Sequence, residues 1–258
     1  MDNYALITGA ASGIGKALAE KFAQQEHHLV LVSKESEIEI LNNQADLFIQ
    51  KYNVKVSVIG VDLRKENAAT IIYETVKQLD VNIQYLVNNA GFGVYGLFLK
   101  TDLVKENDMI YVHTICTTIL MKLFIPDMVK NGYGRVLNLG STASYIPVPY
   151  MAVYAATKSY IYSLSKTLNV ELKGSGVTVT ALCPGATNTA FAHKAEMENT
   201  LLFRLFVMRP DFVANVGYKA MMRGRSYIVV GIYNKMLILF SKLFPSFIVD
   251  RVTKKMLR

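Results

Sequence analysis

Seven short runs of aliphatic and β-branched residues punctuate the chain: Tyr4 to Thr8, Leu29 to Ser33, Val54 to Val61, Ile83 to Asn88, Arg135 to Gly140, Val177 to Leu182 and Tyr227 to Val230. Runs of this length and composition predict strands, and the longer stretches between them carry helical spacing. Between the first two runs, Ile14, Leu18 and Phe22 recur at four-residue steps and Ala17 joins their face, which predicts a helix packed on the sheet. Strand alternating with helix predicts the α/β class, as a doubly wound three-layer sandwich around a central, mostly parallel seven-stranded sheet. No internal repeat or Pro/Gly/Ser-rich linker divides the 258 residues, so a single domain over 1–258 is expected.

Composition changes this picture little. The chain is 52% hydrophobic with a mean hydropathy of +0.25, yet no run approaches the ~18 consecutive apolar residues of a spanning helix. The first predicted strand begins at Tyr4, ahead of any room for a signal sequence, so a cytoplasmic location is expected. Cys116 and Cys183 lie far apart among apolar neighbours and read as buried free thiols, with no metal-ligand spacing. The net charge of +8 is scattered, without a basic run or an aromatic ladder, so no nucleic-acid partner is expected. The exception is the C-terminal stretch, where Lys235, Lys242, Arg251, Lys254, Lys255 and Arg258 face only Asp250.

The first candidate chemistry follows the first strand directly, in Thr8-Gly9-Ala10-Ala11-Ser12-Gly13-Ile14-Gly15. Glycines permit a tight turn and close backbone approach, and the helix that follows offers unpaired N–H groups to a pyrophosphate. Strand, Gly-rich turn and helix at the head of a βα series is the setting of a dinucleotide site, built here from Gly9, Ser12, Gly13, Ile14 and Gly15. At the end of the second strand stand Ser33 and Lys34, with no carboxylate at the strand end. A hydroxyl and an ammonium favour a phosphorylated ribose, so NADP(H) is expected over NAD(H); the alternative is that Lys34 is a solvated loop residue.

Tyr154 and Lys158 stand four residues apart, a spacing that puts both on one face of a helix. An ammonium beside a phenol stabilises the phenolate and draws its pKa toward the catalytic range.

Taken together and in order, these motifs resemble the short-chain dehydrogenase/reductase family, in its compact single-domain branch, over nearly the whole chain. The resemblance implies a Rossmann-type fold and identifies Thr8 to Gly15 as the cofactor loop, Asp62 as an adenine contact and Asn88-Asn89-Ala90-Gly91 as the motif closing the fourth strand. It likewise implies that Pro184-Gly185, with Thr187 and Thr189, embraces the nicotinamide end. A serine that hydrogen-bonds the substrate oxygen is expected at Ser141, thirteen positions before Tyr154, with Thr142 and Ser144 as competitors that would cap the turn. Where the family usually carries an asparagine that holds a relay water behind the lysine, this chain has His113. Imidazole both donates and accepts, so His113 is either a relay member or a histidine that only packs in its helix. The implied activity is hydride transfer between NADP(H) and a carbonyl or alcohol. The alternative is a cofactor-sensing or scaffolding protein on the same fold.

The segment 145–151 and the apolar residues Phe191, Met197, Leu201, Leu202, Phe203, Leu205, Phe206 and Val207 suggest a hydrophobic ketone, steroid-like or fatty acyl substrate under a lid spanning 186–225. The same spacing also suits core or oligomer packing in a homodimer or homotetramer. The stretch 233–258 reads as an amphipathic basic extension that either packs on a subunit or closes the pocket, or makes peripheral contact with a membrane.

Overall fold

The computed structural model describes residues 3–189, 191, 200 and 207–256. Seven parallel strands form one sheet: β1 (Tyr4–Thr8), β2 (His28–Ser33), β3 (Val56–Gly60), β4 (Ile83–Asn88), β5 (Gly134–Leu139), β6 (Val177–Cys183) and β7 (Tyr227–Val229). Their order is β3-β2-β1-β4-β5-β6-β7. Each sequence-predicted run holds a strand, with ends moved by one residue at most except in the third, where Val54 and Lys55 precede the ladder.

Helices cover both faces, as the burial of every strand but the edges requires. On one face lie α1 (Gly13–Ala23), α2 (Ile38–Tyr52) and, later in the chain, α7 (Pro210–Met222), burying Leu18, Phe22, Leu41, Phe48, Val213 and Met221 with Ile7, Leu31 and Leu137 of the sheet. On the other lie α3 (Ala68–Gln78), α5 (Thr117–Lys130) and α6 (Ala152–Glu171), where Ile72, Leu120 and Phe124 pack with Leu6, Val30, Val136 and Val179. Within the segment 186–225 expected as a lid, Pro210–Met222 is a core helix against α1.

The helix α4 (Leu103–Ile110) runs into α5 through a π-helical stretch, Tyr111–Cys116. This 28-residue unit has the length and hydropathy, 1.5 over its most apolar window, to cross a bilayer. Leu120, Met121, Phe124 and Met128 are instead buried against the sheet, the placement of a core helix. A buried polar chain crosses the same layer: Asn88 Nδ2 donates to Asn138 Oδ1 at 2.8 Å, and Asn138 Nδ2 donates to Ser165 Oγ at 2.9 Å. It ties β4, β5 and α6 together beneath the cleft.

The chain leaves β1 in one direction for β2 and β3, then returns to the other side of β1 as β4. The carboxyl ends of β1 and β4 flank this reversal, which is where an open α/β sheet holds its ligand. Cys116 and Cys183 are both buried and free.

Candidate active site

One cleft along the carboxyl ends of the strands is lined by Gly9, Ser12, Gly13, Ile14, Ser33, Lys34, Asp62, Asn89, Ala90, Gly91, His113, Ser141, Tyr154, Lys158, Pro184, Gly185, Thr187 and Thr189, but not by Gly15. Gly15 lies beneath it. A Cβ at Gly15 would come within 2.1 Å of the Gly9 carbonyl oxygen, so the turn into α1 closes only around glycine. Ser12 is extended at the N-cap position of α1 and its side chain makes no capping bond, leaving the first N–H groups of the helix available to the cleft. The opposite wall is braced to this turn. Thr8 Oγ1 accepts the N–H groups of Asn89 at 3.0 Å and Ala90 at 3.1 Å, and Asn89 Nδ2 donates to the carbonyls of Thr8 at 2.9 Å and Gly9 at 3.2 Å. This close backbone cradle at a helix N-terminus fits a dinucleotide pyrophosphate.

At the end of β2 the expected absence of a carboxylate is corrected. A short 3-10 turn, Glu35–Glu37, folds Glu37 back so that its carboxylate accepts the Ser33 hydroxyl proton, and Glu37 lines the cleft beside Lys34. Sequence reading ended at the strand; the turn brings the fourth residue beyond Ser33 into the same corner. Asp62 also lines the cleft, with its carboxylate held by Arg64 Nε at 2.9–3.0 Å and its pKa lowered chiefly by that guanidinium. Arg64 is a second cation of this corner that no sequence motif marked.

Helix α6 carries Tyr154 and Lys158 on its cleft-facing side, as their spacing predicted. Lys158 Nζ lies 5.6 Å from the Tyr154 ring centroid and donates to the Leu139 carbonyl at 2.8 Å. The expected lowering of the phenol is corrected: burial pushes Tyr154 up to about 12, against the pull of the Ser141 hydroxyl, while burial brings Lys158 down to about 8. The low-polarity surroundings disfavour both charged forms. Tyr154 is thus a neutral phenol at physiological pH, suited to giving a proton. Ser141 Oγ accepts the Ala143 N–H at 3.1 Å, whereas Ser144 Oγ donates to the Lys158 carbonyl at 2.8 Å and serves the helix backbone.

His113 projects from the π-helical stretch, whose wider turn re-aims the side chains it carries. Its Nε2 accepts the Phe92 N–H at 3.2 Å, so the neutral ring carries its proton on Nδ1 and donates it to Thr157 Oγ1 at 2.9 Å. Thr157 in turn donates to the Tyr154 carbonyl at 2.7 Å. Burial, with the Lys158 charge adding to it, holds the imidazole well below its ordinary pKa. Both ring nitrogens are therefore committed, and neither is hydrogen-bonded to Lys158. A Cβ on Gly91 would sit 2.4 Å from His113 Nε2, so the histidine fills the space that this glycine leaves.

Beyond Tyr154 the cleft turns apolar, walled by Phe92, Val148, Met151, Phe191, Leu237 and Met256. Phe191 stands 5.5 Å from the Tyr154 ring, and Met151 is buried among Tyr95, Val148, Tyr150 and Phe191. Thr187 and Thr189 line the edge, where paired bonds between Asn188 N–H and Met208 O and between Met208 N–H and Ala186 O, each 2.9 Å, join two stretches of the segment 186–225. Met197, Leu201, Leu202, Phe203, Leu205 and Phe206 lie outside the described residues. The C-terminal extension contributes α8 (Ile232–Leu243) and α9 (Ser246–Met256). Asn234, buried and donating to the Val230 carbonyl at 2.7 Å, lies against Gly185.

A parallel nucleotide-binding sheet with a tyrosine, a lysine and a serine grouped at its switch point defines a class of nicotinamide-dependent oxidoreductases. The short chain dehydrogenase family model matches residues 3–200, and this chain belongs to that family. It is similar to the very-long-chain 3-oxoacyl-CoA reductase of Mus musculus, 30% identical over 198 residues that cover 74% of this chain and 62% of that protein. The chain thus spans about three-fifths of the mouse protein's length. It is equally similar to sulfoacetaldehyde reductase 2 of Chromohalobacter salexigens, 32% identical over 74% of this chain and 75% of that one. Among solved structures, a short-chain dehydrogenase from Sphingobium yanoikuyae in complex with NADPH superposes with a TM-score of 0.83, at 29% identity over 94% of this chain and 93% of that one.

Proposed function

We propose that the protein reduces the carbonyl of a hydrophobic substrate with NADPH, and that the reverse reaction oxidises the alcohol. The observation that carries this reading is the apolar wall of Phe92, Val148, Met151, Phe191 and Leu237 beside a buried, protonated Tyr154. Relatives act on substrates as different as very-long-chain oxoacyl-CoA and sulfoacetaldehyde by their names, so the pocket rather than kinship supplies the substrate class.

The backbone around Gly9, Ser12, Gly13 and Ile14 would hold the pyrophosphate, Asp62 and Asn89 to Gly91 the adenosine side, and Lys158, Pro184, Gly185, Thr187 and Thr189 the nicotinamide side. Lys34, joined by Arg64, supports the phosphorylated cofactor, and NADPH bound to the Sphingobium relative agrees with that choice. When bound, the cofactor supplies the hydride. Tyr154 then gives its phenolic proton to the substrate oxygen, and Ser141 donates a hydrogen bond to the same atom as negative charge develops there. The Lys158 ammonium, drawn into the site by the Leu139 carbonyl, stabilises the phenolate that results. His113 holds the helix that carries Tyr154 rather than passing protons.

Following NADPH absorbance with a panel of bulky ketones and oxoacyl thioesters tests the proposal. Tyr154→Phe is expected to lower turnover by roughly 10²–10⁴-fold. Turnover that survives loss of the phenol would refute the mechanism. Cofactor binding without turnover of any substrate would favour a sensor on the same fold.

A further inference from the structure

The C-terminal hairpin has one face in the cleft and another that, among the described residues, stands exposed. On α8, Asn234 and Ile238 are buried and Leu237 lines the cleft. The opposite side presents Ile232, Met236, Leu239 and Leu243 at steps of four, three and four residues, 74%, 62%, 56% and 70% exposed. That spacing is one unbroken helical stripe. Phe244 and Phe247 extend it across the turn into α9, with Phe247 71% exposed. Lys235 and Lys242, two helical turns apart, flank the stripe on one side. With Arg251, Lys254 and Lys255 the hairpin carries five bases against the single acid Asp250.

We propose that this face docks on an anionic lipid surface, with the stripe sunk among acyl chains and the lysines at the headgroups. Charge selects the partner. In an antiparallel symmetric pairing with a second copy, Lys235 and Lys242 would share an edge with like charges, and in a parallel one they would meet no acid on the facing flank of the stripe, whereas an anionic bilayer satisfies both the apolar and the basic halves of the pattern. Position supplies the purpose, which rests on the hydrophobic-substrate reading above. Leu237 and Met256, on the inner side of the same hairpin, form part of the cleft wall, so docking would bring the cleft mouth to the lipid from which a poorly soluble carbonyl compound partitions.

Sedimentation of the full chain with vesicles tests this. The protein is expected to co-sediment with phosphatidylcholine vesicles containing roughly 30% phosphatidylserine, not with phosphatidylcholine alone, and to be released between about 50 mM and about 500 mM salt. Lys235→Glu with Lys242→Glu, and separately Met236→Ser with Leu239→Ser, should each weaken partitioning roughly tenfold or more, with melting temperature and NADPH affinity unchanged. Failure to bind anionic vesicles at low salt, or binding that neither double variant reduces, overturns the proposal. So does an oligomer in gel filtration that the Met236→Ser/Leu239→Ser variant dissolves, which would assign the face to a second copy. Vesicle binding by a protein that reduces no carbonyl compound would leave the docking surface standing and sink only the catalytic reading.

Discussion

His113 Nδ1 and Thr157 Oγ1 lie 2.9 Å apart, and this bond joins the π-helical stretch to the helix that carries Tyr154 and Lys158. The direction of every proton in the chain is fixed from its far end, since the Phe92 N–H can only donate. Thr157→Val should therefore cost about 1–3 kcal/mol, because the buried Nδ1–H loses its acceptor. Urea denaturation checks the value; a cost near zero would mean that the ring finds another partner. The histidine should also stay neutral through the range in which the unfolded chain takes up a proton. Below pH ~6.5 the unfolded state then binds more protons, so His113 makes stability fall as the solution is acidified. In His113→Asn that contribution disappears, and the difference between the two stability curves isolates it.

Lys158 has the same sign over a different window. Its folded pKa of about 8 lies below the ordinary 10.5, so between those values the unfolded state holds the proton and the native state has released it. Wild type should therefore gain on Lys158→Met by on the order of 3 kcal/mol as pH rises from about 8 to about 10.5. Unfolding of both proteins at several pH values in that window measures the difference directly, and parallel curves would show that the lysine keeps its charge throughout.

Glu37 sits in the same corner as Lys34 and Arg64, so the corner proposed above for the cofactor's ribose has opposing charges. Glu37→Gln should tighten NADPH roughly tenfold and leave NADH nearly unchanged, while Lys34→Asp should weaken NADPH alone. Fluorescence titration with both cofactors reads this. Equal shifts for NADPH and NADH would place these charges away from the 2′-phosphate.

Gly91 and His113 occupy complementary space, and Gly91→Ala should destabilise by about 1–3 kcal/mol through overpacking. Much of the loss should return in Gly91→Ala/His113→Ala, where the added methyl finds room. A double-mutant cycle with no coupling would show that the strain lies elsewhere.

The features legible from sequence are those set by local pattern. Strand cores such as Leu29 to Ser33 announce themselves by composition, and Tyr154 and Lys158 by helical spacing. The less legible features depend on how separate segments meet. Glu37 belongs to the ribose corner because a short turn doubles back, and Arg64 because it reaches across to Asp62. The role of His113 depended on three partners, Phe92, Thr157 and, through it, Tyr154, distant from it in sequence and joined to it by no local pattern. The pKa of Tyr154 is illegible for the same reason, since a pairwise spacing says nothing of the desolvation that surrounds the phenol. Pro210–Met222 falls inside the segment expected as a lid because no local pattern separates a covering stretch from a core helix.

The buried chain from Asn88 through Asn138 to Ser165 bears on how the site fails. An apolar helix can slide on an apolar sheet by small steps, but a helix keyed by directional bonds has to break them all before it moves. The alignment of Tyr154 with Ser141 is thereby digital, either fully registered or lost with the domain. Heating should leave specific activity intact to the edge of the melting transition, with no preceding phase in which a folded enzyme gradually falls silent.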